Sequence, residues 1–268
     1  MKKKIFSVGL VFVFVLSLIS TGVFAQTADV TDPVEGYVDL TEYATALDTA
    51  QKQEGYTRTY YFLTYQLVNT GAVLEWMAIN RPGEQTNEVA VLQAFYDAVL
   101  KLRTEMTADS DFNAILSKMK AESQKTGTAL SAILNKYYTE LPEIKGYIYA
   151  YRAAHTEDDV AHDIWGGARV AAVYAYEAFL VADLGNTVAL AEYYTPEETQ
   201  AIAQMETYIA KIQSIADTLA AAAKSFDEAK VTSLTAQIHS TSDQADALAA
   251  AMWEKIFAAY REMNGPVY

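Results

Sequence analysis

The chain has 268 residues, with 20 Lys and Arg against 34 Asp and Glu, no cysteine, three histidines and nineteen tyrosines. An apolar share of 51% predicts a packed globular protein, not a disordered one. The absence of cysteine excludes a disulfide scaffold, a thiolate-held metal, a cysteine nucleophile and a lipid anchor through cysteine, and a net charge of −14 argues against a nucleic-acid partner.

Lys2, Lys3 and Lys4 precede an uncharged run from Ile5 to Ile19, Ser20 to Gly22 loosen the chain, and Val23-Phe24-Ala25 sets small residues before Gln26. This is the anatomy of a secretory signal peptide over residues 1–25. The competing reading is an uncleaved anchor, since the apolar run is long enough to span a bilayer. The Val-x-Ala site favours cleavage. Removing three lysines and no acid takes the charge from −14 to −17, so the expected molecule is exported, periplasmic or secreted, with no stable membrane insertion. Residues 26–40 read as an acidic N-terminal arm. From Asp29 to Glu54 seven acids face one base, Lys52, which reads as a solvated arm and a surface helix.

The rest, 41–268, reads as a single all-α domain, a multi-helix bundle of about seven to eight helices. Apolar residues recur at three and four, and the five prolines fall where helices start or stop. The predicted helices are 41–54, 57–80, 85–106, 110–138 with a break near Gly127, 142–155, 157–184, 196–224 and 227–263. Tyr147 to Tyr151 alternates like a strand but lies between Pro142 and a helical run, so it is read as helix. Thr195-Pro196-Glu197-Glu198 carries an N-cap, a first-turn proline and a capping-box glutamate. Asp39-Leu40-Thr41-Glu42 and Ser225-Phe226-Asp227-Glu228 are weaker versions of the same box. Residues 195–268 form a long antiparallel hairpin: one seam runs Ile202, Met205, Ile209, Ile212, Ala216, Leu219, and the other Val231, Leu234, Ile238, Thr241, Ala245, Leu248. A slip in phase places its turn near 225–230.

The familiar catalytic and phosphate-binding signatures are missing, with no HExxH, GxSxG, GxxxxGK[ST] or GxGxxG. Two candidate sites remain. On one continuous helix His155, Asp159 and His162 would share a face and offer two imidazoles and a carboxylate to a divalent metal. Alternatively Thr156 caps a helix whose first acids complement its dipole, and the shared face dissolves. Downstream, His162, Arg169 and Tyr176 recur every seven residues with Trp165 beside them, a stripe that could bring Arg169 to an anionic ligand; the plainer and favoured reading is the helix's wet side, or an Arg169 paired with a neighbour's carboxylate. That helix is apolar all round and reads as buried and central, with Gly166, Gly167 and Ala171 allowing close approach. The tyrosines suit bundle margins, pockets and interfaces alike.

The function expected from these features is that of an exported, non-enzymatic helical bundle that binds or scaffolds cell-envelope components. The alternative is a soluble binding protein for a small anionic ligand or divalent metal. No cofactor is required, although a divalent metal is possible, and the partner is an envelope protein or a small molecule, with an oligomer compatible.

Overall fold

The computed structural model describes residues 34–84, 86–155 and 157–265, the last of these with side chains from Trp165 onward. The signal segment and most of the acidic arm lie outside the described residues. Within them the chain is all-helical: α1 (Thr41–Asn80), α2 (Asn87–Glu105), α3 (Phe112–Lys136), a 3-10 turn (Tyr138–Glu140), α4 (Leu141–Ala154), α5 (Glu157–Tyr194), α6 (Thr199–Lys224) and α7 (Glu228–Asn264). No helix among the described residues is long and apolar enough to cross a membrane.

Helix α1 is the spine. The sequence predicts a break at Gly55, yet the helix runs unbroken for 40 residues, about 60 Å. Tertiary packing overrides the low helix propensity of glycine there: a Cβ on Gly55 would lie 2.7 Å from Cδ2 of Phe112, so the glycine admits the first ring of α3. Opposite α1 runs an antiparallel partner made of α4 and α5 in succession. Val38 meets Asn186, Glu54 meets Arg169, Asn69 meets Arg152, Glu75 meets Tyr147 and Arg81 meets Glu140. One number rises nearly as the other falls, so the register continues across the break at His155. Tyr147 and Tyr151 therefore face α1, while Tyr149 is exposed, so the stretch that alternates like a strand is helical.

The α2–α3 hairpin packs on the C-terminal half of α1, and the α6–α7 hairpin packs on α5. Two bundles result, joined by α1 and its partner. The first buries Leu63, Phe95 and Val99 in one cluster and Val73, Trp76 and Ile144 in the next. The second buries Met205, Ile212, Leu219, Ile238 and Ala245, the two seams expected from the sequence.

Several boundaries differ from expectation. α3 continues through Gly127. α5 extends to Tyr194 because Asn186, expected beyond its end, is held inside: its amide accepts from Val38 N at 2.8 Å and donates to Val38 O at 2.9 Å. The capping box at Thr195 does not form, since the Thr195 hydroxyl donates back to Ala191 O and α6 starts at Thr199. At the first weaker box its leading residue, Asp39, accepts from Thr41 N at 2.9 Å; at the second, Asp227 caps in place of Ser225, accepting from Lys230 N at 3.0 Å. The acidic stretch is not wholly solvated either, because Glu54 turns inward to Arg169.

Candidate functional site

Of the predicted stripe, His162 lies outside the described side chains, and the remaining members go to different neighbours. Trp165 is buried and its ring stacks on Phe226, with centroids 6.3 Å apart. Arg169 takes the paired alternative, with Nη1 donating to Glu54 Oε1 at 3.3 Å. Tyr176 turns to α7, its ring 5.9 Å from that of His239. In the predicted metal set, His155 terminates α4: its ring stacks on Tyr151 at 3.8 Å and its Nδ1 lies 2.8 Å from the Tyr151 carbonyl oxygen. Because α5 begins at Glu157, His155 does not share a continuous helix with Asp159 and His162, whose side chains are not described. Among the described residues no group of three His, Asp or Glu is arranged to hold a metal.

Where α5 meets α7, charge is confined. Burial pushes the Asp183 carboxyl up to about 6, and the nearby Asp246 adds to the shift. Asp246 is itself raised by burial and by Asp243. Burial, then Asp246 and Asp243, push the Tyr176 hydroxyl up to about 12. The carboxylates raise one another's affinity for a proton and hold the Tyr176 hydroxyl protonated.

An opening lies in the first bundle. A cleft of about 480 Å³ runs between α3 and α4, with α1 and α2 beneath it. Its floor is apolar and buried, formed by Val73, Leu92 and Phe95, and its walls are Leu130, Leu134 and Ile148. The opening follows from small side chains on α3: Gly127 lies mid-helix with nothing within 4 Å of a would-be Cβ, and Ser123 and Thr126 flank it. The hydroxyls of those two are turned back to the carbonyls of Lys120 and Glu122.

The rim carries Tyr65, Asn69, Lys145, Tyr149 and Arg152, and neither a carboxylate nor a histidine lines the cleft. Arg152 Nε donates to Asn69 Oδ1 at 2.8 Å, its Nη2 donates to the same oxygen and to the Tyr65 hydroxyl at 3.2 Å, and its guanidinium lies 5.1 Å from the Tyr65 ring centre. Two other half-buried arginines take carboxylates, Arg81 from Glu140 and Arg169 from Glu54, while Arg103 donates to the Thr64 hydroxyl at 3.1 Å. Arg152 is held by neutral groups, and among the described residues no carboxylate is within ion-pair distance of it.

Sequence reasoning passed over this site although two signals for it exist. Gln66, Asn69 and Thr70 interrupt an otherwise apolar stretch on one face of α1, and Lys145, Tyr149 and Arg152 recur at four and three on α4. Only the fold joins the two faces. Comparison with known protein families, curated protein sequences and solved structures finds no match to this chain.

Proposed function

We propose that the chain is an exported, non-enzymatic helical-bundle protein that binds a small organic ligand in the cleft between α3 and α4. The observation that carries this reading is the cleft itself, about 480 Å³ with an apolar floor and a polar rim, the size and lining of small-molecule sites in general. The lining supports binding over turnover, because it brings together no carboxylate, histidine or cysteine to serve as an acid–base or nucleophile pair. It also favours a small-molecule ligand over a scaffolding role for envelope components. Export is inferred from residues 1–25 alone, and mature protein beginning at Gln26 is the expected outcome of N-terminal mass analysis.

Native mass spectrometry of protein taken from its own envelope tests the binding role. An added mass is expected on the wild type and none on Gly127→Leu, whose side chain would fill the cleft. A bare wild-type protein, combined with no thermal shift from any small organic ligand, would overturn the reading.

A further inference from the structure

We infer that the ligand is an amphipathic anion, a hydrocarbon body with one anionic head seated at Arg152. This rests on the ligand-binding reading above and specifies its ligand class. Charge complementarity carries it. In a chain with 34 acids and 20 bases, the charged residues lining the cleft are two cations, Lys145 and Arg152, and no acid. Two acids on nearby turns are engaged elsewhere: Glu75 accepts from the Tyr147 hydroxyl at 2.5 Å, and Glu122 pairs with Lys125 at 3.2 Å. At physiological salt the screening length is about 8 Å, so local cations outweigh the distant negative charge of the whole molecule.

Arg152 is also pre-organised. Asn69 and Tyr65 engage Nε and Nη2, while Nη1 makes no hydrogen bond among the described residues. A guanidinium fixed by neutral partners keeps its full charge and spare donors for a carboxylate-type head. Lys145, two helical turns away, is about 10 Å off along the axis, and exposed; it is suited to attracting the anion more than to sharing one small head. A head group alone would leave the floor of Val73, Leu92 and Phe95 wet, so the ligand must bring an apolar body. A cationic amphiphile would meet two like charges.

Isothermal titration at pH 7.5 with decanoate, decanol, decyltrimethylammonium and acetate, all kept below micelle-forming concentrations, tests the assignment. Decanoate is expected to bind at least about ten-fold tighter than decanol, the worth of one charge-assisted contact, with acetate and the ammonium compound showing no measurable binding. Arg152→Gln should bring decanoate down to the affinity of decanol and leave decanol unchanged. Lys145→Gln, an exposed change that does not threaten folding, should weaken decanoate by a smaller factor. Gly127→Leu should abolish both. Equal affinities for decanoate and decanol, tighter binding of the ammonium compound, or an Arg152→Gln variant that is folded and keeps the preference would overturn the anion assignment and leave a ligand-binding cleft standing. If no probe binds while envelope-derived protein still carries an added mass, this assignment falls alone. If that protein is bare as well, the binding reading falls with it.

Discussion

Helices α5, α6 and α7 meet through Leu, Ile and Met side chains with buried alanines set among them, whereas the α1 to α4 bundle combines aromatic rings with an open cleft. Ala191, Ala216 and Ala245 are 0%, 1% and 0% exposed in the second bundle, packed among Met205, Ile212 and Leu219. The first bundle fills its centre with Trp76, Phe95, Leu63 and Tyr137, and a thin stretch of α3 leaves the remaining volume open. The contrast extends to charge. Close packing traps Asp183 and Asp246 together and displaces their titration, while in the open bundle Arg152 lies against neutral partners at a wet rim. Tight packing and an open cleft therefore follow from which side chains each hairpin brings, α6 and α7 in one bundle and α2 and α3 in the other.

Cavity-forming substitutions should break that comparison most sharply. Leu219→Ala, in the alanine-rich core, is expected to lower stability by about 3–4 kcal/mol, because rigid neighbours cannot close the void. Leu130→Ala, on a wall that already faces open volume, should lower it by only about 1 kcal/mol. Urea unfolding of both variants checks this, and equal losses would show that the two bundles are equally tight.

The trapped carboxylate gives the next effect. With its folded pKa raised to about 6, Asp183 favours the protonated form on folding. Its stabilisation is complete below the ordinary aspartate pKa and is lost as pH rises through about 6. The shift corresponds to on the order of 2–3 kcal/mol. Asp183→Asn should therefore gain about that much over the wild type at pH 7.5 and nothing at pH 3.5. Urea midpoints for both proteins at the two pH values measure the difference. A constant gap across pH would mean that Asp183 is not desolvated.

What was legible in the sequence is what recurs locally. The seams of α6 and α7 are written at three and four along each helix, and the buried set Met205, Ile212, Leu219, Ile238 and Ala245 matches them. Helix boundaries failed where a distant partner decides them, as at Gly55 under Phe112 and Asn186 against Val38. The partners of the stripe were hidden for the same reason: Arg169 meets Glu54 across 115 residues, and nothing near either residue announces the other. The cleft draws on four helices, so its polar face on α1 and its cationic face on α4 stayed two unrelated irregularities until the antiparallel register joined them.

Two glycines sharpen the comparison at the smallest scale. A Cβ on Gly166 would lie 2.7 Å from Cε1 of Phe226, whose backbone sits at a φ of 58° in the α6–α7 turn and whose ring stacks on Trp165. That ring cannot retreat without disturbing the turn, so Gly166→Ala should destabilise by about 1–2 kcal/mol even after the gain in helix propensity. At Gly127 the new methyl meets nothing within 4 Å, and the propensity gain stands alone. Gly127→Ala should stabilise the protein by about 0.5–1 kcal/mol. Thermal unfolding of the pair reads opposite signs if one bundle is closed and the other open. A loss at Gly127 would mean that α3 lies closer to its neighbours than the cleft allows, and the ligand site would lose its opening with it.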